Sequence, residues 1–128
     1  MKFLLVLAGG GLGSIFRYSV SLLSLKLFGT RFPYGTMIVN LAGCFLIGLC
    51  FGLTERAAWF GPLARLFFMT GFLGGLTTFS SFALETVVAG RTGTGTIALA
   101  NLFVNNVIGM GMVLAGMWCI DFMFKWRV

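Results

Sequence analysis

Few side chains in this sequence could carry out catalysis, and what is missing narrows the chemistry at once. There is no histidine, and the only carboxylates are Glu55, Glu85 and Asp121. A histidine metal site or histidine base is excluded, and hydrolytic or redox catalysis has almost no acid–base groups to work with. Cys44, Cys50 and Cys119 stand in apolar surroundings at no metal-ligand spacing, which suits packed thiols better than a disulfide framework. The chain does not read as an enzyme. What remains is a set of polar residues embedded in apolar sequence, where each is costly and points to function, with packing as the plainer account.

The densest of these sets is Gly71-Phe-Leu-Gly-Gly-Leu-Thr-Thr-Phe-Ser-Ser-Phe82. Three glycines followed by two threonines make a poor helix interior, so the spacing predicts an interruption near Gly74 to Thr78. Unpaired backbone at membrane depth survives only where protein buries it or where it lines a polar site. A broken helix presents carbonyls, which favour a cation. The hydroxyls of Thr78, Ser80 and Ser81 interleave with Phe79 and Phe82, and Glu85 follows three residues on. The plain account of the phenylalanines is a core or lipid-facing pair. The sharper one uses the positive ring edge, which with hydroxyl and amide donors can hold a small anion loosely enough to release it.

Other polar residues lie along the remaining apolar stretches. Arg17 either snorkels to the interface or faces an aqueous vestibule and attracts anions, and the two are compatible. Asn40 is the strongly polar residue between Thr36 and Thr54; its amide can glue helices or donate N–H groups to a solute. Asn101 and Asn105 are four apart and share a helix face, with Asn106 about 100° away, so a polar track is expected there.

The elements that must position these residues follow from composition. The chain has 128 residues, 59% hydrophobic and 9% charged, against roughly 25% charged in an average soluble protein. Its mean hydropathy is +1.02. Twelve charged side chains cannot cover the surface of a soluble domain this size, so the solvent is lipid. The apolar runs are continuous rather than alternating, which excludes a β-barrel. A single all-α membrane domain over residues 1–128 is expected, with spans near 3–25, 33–53, 63–88 and 96–123. The start Met1-Lys-Phe-Leu-Leu-Val-Leu-Ala8 has the outline of a signal peptide, but the apolar pattern runs past Ala8-Gly9, so it is read as the first span.

Four spans put both termini and the second loop on one side, with Lys2, Arg56, Arg65, Lys125 and Arg127, against Lys26, Arg31 and Arg91 on the other. That bias is weak for the rule that sets orientation. It leaves open a single topology or insertion both ways with antiparallel pairing. The net charge of +6 suits anionic lipid head groups, and loops this short give no support for nucleic-acid binding.

Nineteen glycines need a reason in helical sequence. The pairs Gly9/Gly13, Gly48/Gly52 and Gly71/Gly75 have the four-residue spacing that lets helix backbones approach. Close packing accounts for Gly9-Gly-Gly-Leu-Gly13 better than a phosphate loop, since no strand precedes it and no P-loop lysine follows. Four helices enclose little interior, so oligomerisation is expected.

Three segments, Gly9-Gly-Gly-Leu-Gly-Ser-Ile-Phe-Arg-Tyr18, Gly35-Thr-Met-Ile-Val-Asn40 and residues 71–82, resemble signatures of the Fluc (CrcB) fluoride channels, and the likeness spans the chain. The resemblance implies a passive fluoride exporter of the bacterial inner membrane, an antiparallel dual-topology homodimer with two pores. It aligns Asn40, Phe79 and Phe82 with pore residues, the phenylalanines coming from different subunits in each pore. It aligns Gly74 and Thr77 with positions whose backbone carbonyls hold a central structural Na⁺. Thr36 and Glu85 match a polar track, and Arg17 a vestibule arginine. The fourth span departs from the pattern: Asn101 and Asn105 stand where some members place Tyr and Ser, and Gly109 offers no side chain at the next step.

The alternative is a small multidrug transporter, also built from four spans and often of dual topology. It exchanges protons for a lipophilic cation through a membrane-embedded carboxylate. The first span contains none, Arg17 there repels cations, and Glu85 is the one candidate.

Overall fold

The computed structural model describes residues 1–125; Arg127, counted above in the charge balance, lies outside them. All regular structure among the described residues is helical. Four stretches are long and apolar enough to cross a bilayer: Lys2–Phe28, Tyr34–Arg56, Pro62–Arg91 and Gly95–Lys125. The first two are continuous helices, α1 (Lys2–Phe28) and α2 (Tyr34–Arg56). The third consists of α3, residues 62–76, then two extended residues, then α4 (Phe79–Arg91). The fourth is α5 (Gly95–Lys125). Leu66–Leu73 in α3 and Val104–Ile108 in α5 are wound as wider π turns.

Local chemistry explains the ends. α1 stops where Gly29 adopts φ 73°, a conformation glycine takes without strain, and its N–H closes on the Leu25 carbonyl at 3.0 Å. Pro62 opens α3 at the first turn, where its missing N–H costs nothing. Arg65 ties that corner down, donating from Nε to the Phe60 carbonyl at 3.1 Å and from a terminal nitrogen to the Thr54 carbonyl at 3.3 Å. Gly93, at φ 79°, turns the chain from α4 into α5.

Glycine spacing decides which helices touch. A Cβ placed on Gly9, Gly13 or Gly75 would collide with the facing backbone of the α1/α3 seam. One on Gly48 or Gly116 would collide across the α2/α5 seam. The three glycine pairs thus serve contacts within one chain. Between the seams lies a small core of Val39, Leu73 and Leu76, backed by Val20, Ile47, Cys50 and Phe72. Large apolar side chains such as Phe3, Leu7, Leu99 and Trp118 point outward, as a lipid-facing surface requires.

Gly74–Leu76 are helical, whereas Thr77 (φ −81°, ψ 157°) and Thr78 (φ −150°, ψ 111°) are extended. Unwinding expected from Gly74 onward is therefore confined to the two β-branched residues, whose side chains suit extended backbone better than glycine does.

Candidate functional site

The extended threonines are held from α2. Asn40 Oδ1 accepts the Thr78 N–H at 2.8 Å, while its Nδ2 donates to the Thr78 carbonyl at 3.2 Å. Its other amide hydrogen goes to Asn105 Oδ1 at 2.9 Å. Both donors of Asn40 are thus engaged, and the side chain clamps main chain much as a neighbouring strand would. Thr78 caps α4, its Oγ1 accepting the Ser81 N–H at 3.3 Å and donating to Ser81 Oγ at 3.0 Å.

These bonds divert two donors. In a continuous α-helix the Thr78 amide would serve the Gly74 carbonyl, and the Ser81 amide the Thr77 carbonyl. Here the first goes to Asn40 and the second to the Thr78 hydroxyl. A Cβ built on Gly74 meets nothing within 4 Å, so that stretch faces open space. No cluster of His, Cys, Asp or Glu able to hold a metal occurs among the described residues. Hard carbonyl oxygens released from helical pairing fit an alkali cation better than a transition metal.

Phe79 and Phe82 lie 5.5 Å apart between ring centroids, with planes inclined at 60°. Their surroundings differ: Phe82 is 5% exposed and Phe79 is 77% exposed. Both line a cavity of about 350 Å³ together with Asn40, Gly74, Thr77, Thr78 and Asn105. A second recess, of about 260 Å³, is walled by Ser14, Arg17, Tyr18, Ser21, Thr36, Thr78, Ser81 and Glu85. Thr78 lines both. In the second recess Thr36 Oγ1 donates to Glu85 Oε1 at 2.6 Å, and Glu85 Oε2 is buried with no hydrogen-bond partner among the described residues. A larger cavity of about 460 Å³ continues from Thr36 and Glu85 past Arg31 and Thr92 to the loop end.

Two groups of the residues picked from sequence therefore come together on either side of Thr78, Asn40, Gly74, Thr77, Phe79, Phe82 and Asn105 in one recess, and Arg17, Thr36, Ser81 and Glu85 in the other. Ser80 is exposed, its Oγ 3.5 Å from that of Thr78. Asn101 lines neither recess; it is 1% exposed, donating to Thr86 Oγ1 at 2.8 Å and accepting from Asn105 Nδ2 at 2.8 Å. Sequence reasoning passed over Thr86 and Gly43. Thr86 stands one turn beyond Phe82, a signal that the spacing offered. Gly43 carries none, because its role appears only where the Thr77 methyl occupies the space of its absent Cβ.

Comparison with known proteins identifies the chain's relatives. Residues 4–117 match the family model described as CrcB-like protein, Camphor Resistance (CrcB). The chain belongs to the CrcB-like family. Among CrcB-like relatives, the fluoride-specific ion channel FluC of Solibacter usitatus is 46% identical over 91% of this chain and 95% of its own length. That of Azobacteroides pseudotrichonymphae is 40% identical over 94% and 97%. That of Shewanella amazonensis is 42% identical over 88% and 90%. With four spans and relatives named as ion channels, this chain is a multi-pass membrane protein and not an enzyme.

Proposed function

We propose that the chain is a fluoride-selective channel that lets the ion leave the cell passively across the bacterial inner membrane. The observation that carries this is the likeness, at about 40% identity over nine-tenths of the chain, to relatives named as fluoride-specific ion channels. The site agrees with it. A small anion passing Phe79 and Phe82 meets ring edges and hydroxyl donors rather than a fixed charge, and so is not trapped. Arg17 draws anions into the recess of Thr36, Ser81 and Glu85, where hydroxyls continue the path.

Two copies in antiparallel, dual-topology arrangement make the working unit, with two pores. Phe79, exposed beside the open face at Gly74, then meets the other copy rather than lipid. Gly74 and Thr77 would hold a structural Na⁺ through backbone carbonyls, whose helical donors are engaged elsewhere. Such an ion supplies a fixed positive charge between the copies. Proton-coupled export of a cation is disfavoured, since the one embedded carboxylate, Glu85, shares its recess with Arg17.

Purified protein in liposomes is expected to release fluoride rapidly and chloride hardly at all, and to need Na⁺; equal release of both anions would reject the assignment. Phe79→Ile is expected to cut fluoride efflux far more than it lowers thermal stability, because the ring packs little within its own chain and isoleucine keeps an apolar surface for the other copy.

A further inference from the structure

Five side-chain and main-chain hydrogen bonds form a relay whose two ends lie on either side of Phe79, at the Thr78 amide and the Phe82 carbonyl. The Thr78 N–H donates to Asn40 Oδ1 at 2.8 Å. Asn40 Nδ2 donates to Asn105 Oδ1 at 2.9 Å, and Asn105 Nδ2 donates to Asn101 Oδ1 at 2.8 Å. Asn101 Nδ2 donates to Thr86 Oγ1 at 2.8 Å, and that hydroxyl donates to the Phe82 carbonyl at 2.8 Å. The relay leaves the third span just before Phe79, crosses α2 and α5, and returns to the third span at Phe82.

Its polarity is fixed at both ends. A backbone N–H can only donate and a carbonyl can only accept. The Thr78 amide therefore turns Asn40 Oδ1 toward itself, which leaves Nδ2 for Asn105. Each carboxamide then accepts from the previous group and donates to the next, down to the hydroxyl and the Phe82 carbonyl. Three asparagines in one orientation satisfy every step, and reversing any one would set donor against donor or acceptor against acceptor. The π turn at Val104–Ile108 carries Asn105, whose Nδ2 also reaches the Asn101 carbonyl at 3.1 Å. Asn106, next in sequence, donates to the Leu102 carbonyl and takes no part in the relay, although it lines the same cavity as Asn105.

We infer that Asn101 and Asn105 are positioning residues: their carboxamides, acting through Asn40 and Thr86, set the orientation of residues 78–82 and keep the Thr78 amide away from the Gly74 carbonyl. Asn101 does this from a fully buried position that touches neither Thr78 nor Phe79 nor either recess. The effect on backbone stands on the hydrogen bonds alone; its consequence for transport rests on the fluoride reading above.

The test is the amide resonance of Thr78 in ¹⁵N-threonine-labelled protein reconstituted in lipid, read beside fluoride efflux. Asn101→Leu, which keeps the volume and removes the relay, is expected to shift that resonance. It should also lower fluoride efflux about tenfold, the rate equivalent of one lost buried hydrogen bond. Asn105→Ser, too short to span Asn40 and Asn101, should do the same and serves if the leucine variant fails to fold. In an Asn40→Leu background Asn101→Leu should move Thr78 less than it does in the wild type, because only the arm through Thr86 and the Phe82 carbonyl remains. Ser19→Ala, which removes a hydroxyl bonded to the Ile15 carbonyl of its own helix and away from both recesses, should leave both readouts unchanged. A Thr78 resonance unmoved by Asn101→Leu or Asn105→Ser in folded protein would overturn the inference, as would an equal shift in Ser19→Ala. If the wild type conducts no fluoride, the functional reading falls, and the Thr78 resonance still decides the relay.

Discussion

The two parts of the third span, α3 and α4, are held in place by opposite means. α3 lies against α1 with no room for side chains: Gly9 meets Gly71 and Phe72, Gly13 meets Phe72, and Gly75 meets Gly10, all backbone to backbone. α4 begins on a Thr78 held by the Asn40 clamp, and its first turn is tied to α5 through Thr86 and Asn101. Shape fixes the first and directed hydrogen bonds fix the second. The difference matters because in lipid there is no hydrophobic drive between apolar helices, so association comes from close packing or from polar pairs. Close packing makes a rigid, dry seam. A polar seam can leave cavities beside it, and both recesses at Thr78 border the polar one.

The largest expected effect would break the shape-held side. Gly13→Val sets a branched side chain against the Phe72 carbonyl and should cost about 3 kcal/mol or more, measured as a lower denaturation midpoint in detergent. Gly11→Val, on the same helix with nothing within 4 Å, should leave the midpoint unchanged apart from propensity. Equal losses in the two would show that the close contact at Gly13 does not set the cost, since valine is itself a better helix former than glycine.

The polar side should break differently. Asn40→Leu leaves the Thr78 N–H and Asn105 Oδ1 without their partner, a cost of about 1–3 kcal/mol. Fluoride efflux should fall further than that loss of stability explains, because the two phenylalanines follow Thr78 directly. Retained efflux would show that the clamp is dispensable for the path. The smallest effect belongs to the surface pair Arg56–Asp121, 2.7 Å apart and half exposed on both sides, which joins α2 to α5 away from either feature. Arg56→Gln should change stability by about 1 kcal/mol or less and fluoride efflux not at all.

Much of the shape-held side is legible in the sequence. The four-residue spacing of Gly9 and Gly13, Gly71 and Gly75, and Gly48 and Gly52 marks the contact faces, since only a missing Cβ lets helices come so close. The polar side is legible only as a set of candidates. Asn101 and Asn105 share a face by spacing, yet nothing in sequence says that Asn101 is buried against Thr86 while Asn106 is exposed. Spacing treats Phe79 and Phe82 alike, although one is buried and the other outward. Gly74 shares the glycine-rich composition of its neighbours, and the backbone leaves the helix only at Thr77.

By itself the sequence determined a lipid-embedded chain with four long apolar helices, an absence of acid–base machinery, and a short list of polar residues around residues 71–82. Those follow from composition and period, which act locally along the chain. Tertiary structure alone decided that Asn40, from another helix, takes the Thr78 amide and so releases the Gly74 carbonyl, and that Thr78 separates the Asn40 recess from the Arg17 recess. A hydrogen bond has a direction and a length of about 3 Å. Which donor meets which acceptor is therefore settled by how the helices are rotated against one another, and no spacing within one helix encodes that.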